Sequence, residues 1–193
     1  MPKRPALEGL AKPGRFGAVQ DAVGVRISVR DDLQIVGVAV RDGVRDAFDA
    51  RTQALLSFAP KDGPVRCGNG HTSALGIGPG RWLFLRRDGH GGFSTRLAAA
   101  LAPLASVSDH SDGYVTFRIE GDCARRALAK GAPLDLHPAA FGDDRVAVTL
   151  IAHIGAVVWR EGEQFHIAVF RSYTRSFWHW LSASAAEFGA ELV

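Results

Sequence analysis

Two stretches of this chain repeat the same order of structural signals at an offset of about 80 residues. In each, a strand rich in β-branched residues leads into a helix, a loop, a two-strand hairpin and a second helix. The first stretch opens with LQIVGVAVRDGVRDAFDA, and the second opens with GYVTFRIEGDCARRALAK. The repeat predicts an α+β fold made of two split β-α-β (ferredoxin-like) halves, whose antiparallel sheets are covered by helices.

The repeat also sets the expected organisation of the 193 residues. Residues 1–20 are rich in proline, glycine and charge, which is typical of an extended N-terminal arm. We expect the first α+β half at residues 21–110 and the second at residues 111–193. The length fits one compact unit in which the two halves share a core.

Composition excludes several classes of function. The 23 basic and 20 acidic residues are interspersed and leave a formal charge of +3, which does not indicate a nucleic-acid-binding protein. The two cysteines, Cys67 and Cys123, form no CxxC pair, which fits a reducing cytoplasm and offers no thiolate metal site. No segment approaches the roughly 18 apolar residues of a membrane span. The sequence predicts a cytoplasmic protein that does not bind a membrane.

The motifs that suggest cofactors or catalysis are incomplete. The glycine cluster at residues 76–80 leads into the strand-like RWLFL rather than a helix, so it predicts a hairpin turn instead of a dinucleotide site. The seven histidines form no HxH or HExxH pair, and the DHSDG segment at residues 109–113 lacks the remaining ligands of a calcium loop. No GxSxG motif is present. We therefore predict no catalytic, cofactor-binding or metal-binding residues in this chain.

The segment GDCARRALAKGAPLDLHPAAF at residues 121–141 combines a basic helix with a compact loop. Asp122 at the start and Lys130 at the end both suit the helix dipole, and Gly131 predicts a left-handed stop. Asp135 and His137 then follow in the loop. A brace for the backbone and a catalytic role are both open for these two residues.

The last helix, predicted over residues 173–188, carries an apolar stripe typical of a core-facing surface. The stripe consists of Tyr173, Phe177, Trp180, Leu181, Ala185 and Phe188. Trp178 lies on its shoulder, where an aromatic side chain favours a contact surface. Arg171, just before the helix, can pair with a carboxylate of a partner or cap a loop.

These segments together resemble the gamma subunit of heterotetrameric sarcosine oxidase. The resemblance is carried by AKGAPLDLHPAAF, the SDG upstream of it, the Trp159–Arg160 pair and the terminal FRSYTRSFWHWL. The segments ALGIGPGRWLFL and GRFGA fit the same family, so the resemblance covers nearly the whole chain.

The resemblance implies a subunit of an enzyme that oxidises N-methylglycine (sarcosine) to glycine. Its partners would be the alpha, beta and delta subunits. In such an assembly FAD, FMN and NAD belong to the alpha and beta subunits, tetrahydrofolate to the alpha subunit and zinc to the delta subunit. The gamma subunit would carry no prosthetic group. Its fold would resemble the folate-binding domain of the aminomethyltransferase of glycine cleavage.

That relation in fold leaves an alternative, a folate-binding module for one-carbon transfer. Against it, RSYTRSF at residues 171–177 departs from the RxSYTGExG pattern of the aminomethyltransferases, because Arg175 and Ser176 replace the Gly–Glu pair. We favour a non-catalytic subunit that supports the alpha and beta subunits. The residues expected at its interfaces are Lys130, Asp135, His137, Arg171, Tyr173 and Trp178.

Overall fold

The computed structural model describes residues 6–18, 23–87 and 92–193. The first five and last two residues of the predicted arm lie outside these ranges. The chain divides into two units. The seven-strand unit comprises Met1–Asp31, Gly113–Asp143 and Val148–Val193, and the five-strand unit comprises Asp32–Asp112 and Asp144–Ala147.

The five-strand unit contains an antiparallel sheet with helices on one face. Its elements are β3 (Gln34–Val40), α1 (Arg45–Leu56), β4 (Arg66–Gly68), β5 (Thr72–Gly78), β6 (Arg81–Arg86), α2 (Phe93–Leu101) and β7 (Ala105–Asp109). The strand order is β4-β5-β6-β3-β7. The glycine cluster lies in β5 and in the tight turn to β6, where Gly80 has φ 62°. The prediction of a hairpin turn at these glycines is therefore confirmed.

Large apolar side chains fill the space between this sheet and its helices. Trp82 of β6 is fully buried and stacks on Phe48 of α1, with 5.4 Å between ring centroids. Arg45 lies over the indole at 5.0 Å from its centroid, and the indole Nε1 donates to the carbonyl of Lys61 at 2.9 Å. Arg45 also bonds to the carboxylate of Asp49 at 2.7 Å. Helix α1 and the chain after it are thus fixed to the sheet by packing and by hydrogen bonds.

The seven-strand unit contains a longer sheet. Its elements are β1 (Gly14–Phe16), β2 (Val25–Val29), β8 (Tyr114–Glu120), α3 (Ala124–Ala129), β9 (Val146–Ile151), β10 (Ile154–Glu161), β11 (Gln164–Phe170), α4 (Thr174–Ala186) and β12 (Ala190–Leu192). Strand β9 is placed here by its sheet, although its first two residues belong to the five-strand unit. The order is β1-β12-β2-β8-β11-β10-β9. Strands β12 and β2 pair in parallel, whereas β12 pairs with β1 and β2 with β8 in antiparallel fashion.

Helix α4 packs on this sheet through alternate side chains of the central strands. Phe117 of β8 meets Phe177 of α4 with 5.1 Å between ring centroids, and both are fully buried. Phe117 pairs with Ile167 of β11 across the ladder, and Ile167 is also buried. The order strand, helix, hairpin, helix occurs once in each unit, so the predicted α+β class with two repeated halves is confirmed.

The predicted apolar stripe of the last helix needs one correction. Phe177, Leu181 and Ala185 are buried, but Tyr173 is 49% exposed. Tyr173 belongs to a 3-10 turn, Arg171–Tyr173, that precedes α4. The change of helical geometry at this point rotates the residue away from the buried face.

Candidate functional site

Helix α3 begins later than the sequence predicts, and its start is not capped by Asp122. The N-cap position is Cys123, and no side chain caps it. Backbone bonds form the turn instead: Ala124 N donates to the Gly121 carbonyl at 2.9 Å, and Cys123 N donates to the Gly24 carbonyl at 3.0 Å. The predicted helix start at Asp122 is therefore wrong, because the N-cap position is the next residue, Cys123.

Gly131 follows the C-cap residue Lys130, and packing against α4 explains why this position is a glycine. It is not among the described glycines with positive φ, so the predicted left-handed stop is wrong. A Cβ placed on Gly131 would lie 2.6 Å from Cζ2 of Trp180 and 2.9 Å from its Nε1. The indole ring of α4 therefore occupies the space that any side chain would need.

The loop with Asp135 and His137 is braced by local hydrogen bonds. The Asp135 carboxylate accepts from the His137 amide at 2.9 Å, and the His137 Nδ1 accepts from the Ala139 amide at 3.2 Å. The His137 carbonyl accepts from the amides of Ala140 and Phe141 at 2.9 and 2.8 Å. The polar groups that could have indicated acid–base chemistry are thus directed to the backbone, which is the pattern of an Asx turn.

Arg160 holds the far end of this loop, although sequence reasoning noted it only as part of a family motif. Its side chain is 6% exposed. The guanidinium donates to the carbonyls of Gly162 at 2.6 Å and Phe141 at 3.1 Å, and to the Glu163 carboxylate at 2.6 Å. An arginine at the end of the apolar run IGAVVW is the signal that could have revealed a buried cation with internal partners.

Lys130 connects the end of α3 to the end of α4. Its ammonium donates to the Ser184 carbonyl at 2.8 Å and to the Glu187 carboxylate at 2.7 Å, and lies 4.7 Å from the Phe188 ring centroid. The hydrogen bond and the positive charge of Lys130 hold the pKa of Glu187 below its usual value. The partners of Lys130 within its own unit therefore favour a structural role.

An exposed aromatic patch lies where β8 begins and β11 ends. We define it by Tyr114, Phe170 and Tyr173. Phe170 is 48% exposed and stacks on Tyr114 across the ladder, at 4.7 Å between centroids. Burial raises the pKa of the Tyr114 phenol. Arg171 follows, and its amide donates to the Gly113 carbonyl at 2.8 Å. Aromatic residues are enriched in protein interfaces, so this patch has the composition of a contact surface.

Trp178 lies on the half-buried side of α4 near the N-terminal strand. Its ring meets the ring of Phe16 in β1 edge to face, at 6.0 Å between centroids. This contact anchors part of the predicted arm, since β1 also pairs with β12. The structure thus gives Trp178 an internal partner.

No group of three or more His, Cys, Asp and Glu residues within the described ranges could hold a metal ion. A cavity of about 360 Å³ in the seven-strand unit is lined mainly by apolar residues such as Leu7, Pro13 and Val29. Its charged lining residues are Glu8 and Asp31, which disfavour an anionic ligand. Across those ranges, no helix is both long and apolar enough to cross a membrane.

Comparison with known proteins gives a consistent result. The model of the sarcosine oxidase gamma subunit family matches residues 41–187. The sarcosine oxidase subunit gamma of Corynebacterium sp. (strain P-1) is 32% identical over 169 residues, which is 83% of each chain. The chain belongs to the sarcosine oxidase gamma subunit family. A second member, from Arthrobacter sp, is 31% identical over 168 residues, again 83% of each chain.

Solved structures agree with the family. A chain of the heterotetrameric sarcosine oxidase from Corynebacterium sp. U-96, in complex with pyrrole 2-carboxylate, is similar with a TM-score of 0.79 and 25% identity over 90% of this chain and 88% of that one. The glycine cleavage system aminomethyltransferase T from Bartonella henselae is similar with a TM-score of 0.62 and 14% identity, over 89% of this chain and 48% of that one. The second likeness concerns the fold alone, and it confirms the predicted relation to the aminomethyltransferase fold.

Proposed function

We propose that this chain is the non-catalytic gamma subunit of a heterotetrameric sarcosine oxidase, in which the alpha and beta subunits oxidise sarcosine to glycine. The observation that carries the proposal is the similarity of fold to a chain of such an enzyme over 90% of this chain, together with membership of the gamma subunit family. The partners would be the alpha, beta and delta subunits. FAD, FMN, NAD, zinc and tetrahydrofolate would belong to these partners.

The chemistry of the loop supports a role without catalysis. Asp135 and His137 each accept a backbone amide, and Arg160 fixes the loop end through Phe141. A general base must reach the proton that it abstracts, so a carboxylate and an imidazole already bonded to amides are poorly placed for that task. The loop therefore acts as a rigid surface feature.

The interfaces are proposed at two surfaces of the seven-strand unit. One is the aromatic patch with the adjoining Arg171 and, further along α4, Trp178. The other is the loop that starts at Lys130 and includes Asp135 and His137. Exposed aromatic rings beside an arginine favour burial against a partner chain, since such residues are enriched in interfaces. Two free cysteines, Cys67 and Cys123, support a cytoplasmic location for the assembly.

Co-expression tests the proposal. This chain would be produced with the alpha, beta and delta subunits of the same organism, with an affinity tag on the alpha subunit alone. The expected result is co-purification of all four chains in equal amounts, with oxidation of sarcosine by the complex. A stable alpha–beta–delta complex that never retains this chain at any salt concentration would contradict the proposal.

The second candidate is a folate-binding one-carbon module, which the aminomethyltransferase fold favours. Titration calorimetry of the isolated chain with tetrahydrofolate separates the two. We expect no heat of binding, because Arg175 and Ser176 replace the Gly–Glu pair of the aminomethyltransferase pattern. A micromolar dissociation constant would place the second candidate first.

A further inference from the structure

The two sheets have four edge strands, and three of them are protected. Strand β1 has three residues and carries Arg15, and β4 has three residues and carries Arg66. Strand β7 exposes Ser106, Ser108 and Asp109. Short length and exposed polar or charged side chains are the usual means by which a sheet edge avoids pairing with another chain.

Strand β9 is the exception. Its six residues read VAVTLI and include no charge, proline or glycine. Val148 and Leu150 are 61% and 56% exposed, the two highest values among the large hydrophobic residues of the described ranges. A segment of this length and composition pairs readily with other strands. An unprotected apolar edge of this kind is expected to be covered in the functional state.

The backbone of β9 offers donors on its outer side. The Val146 amide donates to the Pro64 carbonyl at 2.9 Å instead of to β10. Because the direction of backbone groups alternates along an antiparallel strand, the amides of Val148 and Leu150 point the same way as that of Val146. The Ala152 amide, two residues further, donates to the Gly131 carbonyl at 3.0 Å. No described strand pairs with the stretch between these two points.

We propose that the outer edge of β9 at Val148–Leu150 binds a short extended segment of another subunit, which adds a strand to the seven-strand sheet. This inference rests on the proposed function. The segment would be about four residues long, since the gap lies between Val146 and Ala152. It would be uncharged and apolar on the side that faces Val148 and Leu150, because a charged group there would be desolvated without a partner.

The relatives of this chain favour another subunit, and not a second copy of this chain, as the occupant of the β9 edge. The similar solved chain belongs to a heterotetramer, and the gamma subunit family is named for one subunit of that enzyme. Strand addition supplies affinity through main-chain hydrogen bonds, while the side chains at alternate positions supply specificity. Val148 and Leu150 provide outward backbone amides for these hydrogen bonds and apolar side chains for specificity.

Two variants of β9 test this inference in the four-chain complex. Val148→Pro removes an outward amide, and Leu150→Lys places a charge on the apolar side. Leu55→Lys is the matched control, because Leu55 is a 42% exposed leucine on helix α1. Each variant would be co-expressed with the tagged alpha subunit and the untagged beta and delta subunits. Circular dichroism of the isolated variant chain would check its fold. We expect retention of each β9 variant to fall at least tenfold, and that of the control to equal wild type.

The outcomes are distinguishable. If wild type is not retained, the proposed function fails and this inference fails with it. If wild type is retained and Leu150→Lys is retained equally, the inference alone is overturned, even where Val148→Pro misfolds. Light scattering of the isolated chain identifies a third outcome. A dimer that β9 variants abolish, with assembly of the four-chain complex unchanged, would assign the edge to a second copy and overturn the proposal.

Discussion

The two units share one order of elements but differ in how many large hydrophobic side chains they expose. Among the described residues, five of the six exposed large hydrophobic side chains belong to the seven-strand unit: Val148, Leu150, Phe170, Tyr173 and Val193. The five-strand unit exposes Leu55. Its edge strands β4 and β7 also carry the charged residues Arg66 and Asp109, whereas β9 of the other unit has no charged residue. Two copies of one order of elements can therefore differ in how much apolar surface each leaves exposed.

The loop after the first helix is also held differently in the two units. In the five-strand unit, Arg45 joins α1 to the following loop through Asp49 and the Pro60 carbonyl, and lies over Trp82. In the seven-strand unit, α3 has six residues against twelve in α1, and the longer loop after it is fixed from outside by Arg160. The second arrangement leaves more of the loop surface available to a partner.

The largest expected effect concerns the core of the five-strand unit. Replacing Trp82 by alanine removes a fully buried indole, its stacking on Phe48 and its bond to Lys61. We expect the free energy of unfolding to fall by about 3–5 kcal/mol. Urea denaturation followed by circular dichroism measures the change. Leu55→Ala is the control, and a similar loss for both would mean that the unit is not organised around Trp82.

Arg160→Met tests whether Arg160 anchors the loop of the seven-strand unit. The variant leaves the carbonyls of Phe141 and Gly162 without their donor, which costs about 1–3 kcal/mol for a buried group. Hydrogen exchange of residues 135–141 should accelerate more than exchange in β3 or β6. Arg145→Met, at an exposed arginine, is the control. Unchanged exchange in the loop would show that Arg160 is not its anchor.

Two glycine variants form a pair. Gly131→Ala forces a methyl group against Trp180, and overpacking of this kind costs about 1–3 kcal/mol. Gly155→Ala places its methyl group in open space, since nothing lies within 4 Å, and its φ is not positive. The midpoint temperature of thermal unfolding should therefore fall for Gly131→Ala and stay equal or rise for Gly155→Ala. Equal effects would contradict the explanation of Gly131 by the indole ring.

The smallest effect is a shift in titration. Lys130→Met should raise the pKa of Glu187, because it removes the hydrogen bond and the charge that lower this pKa. The lowered pKa means that the contact stabilises the fold above the ordinary glutamate pKa. That contribution disappears as the pH falls through the lowered pKa. Carbon-detected NMR titration of the Glu187 carboxyl measures the shift, with Glu163 as an internal reference. An unchanged pKa would show that Lys130 does not hold this carboxylate.

Local pattern predicted much of the fold, and the reasons are physical. Strands β3, β5, β6, β8 and β11 follow from short apolar runs rich in β-branched and aromatic residues. Helix α2 follows from the helical spacing of Phe93, Leu97 and Leu101, which are buried. The strands β1, β4 and β12 have three residues each, too few for a period to be recognised. Their pairing depends on distant partners, as in the parallel contact between β12 and β2.

The candidate site was likewise predicted only in part from the sequence. The amino-acid sequence of residues 121–141 and 171–181 indicates the family, which the comparisons show. The sequence alone could not show that the Trp180 ring occupies the space beside Gly131, or that Arg160 donates a hydrogen bond to the Phe141 carbonyl. Nor could it show that the N-cap of α3 is Cys123 and not Asp122. Each of these joins residues far apart along the chain. Family and element order are therefore determined by local sequence, while the tertiary structure decides which polar groups are used internally and which surfaces remain for partners.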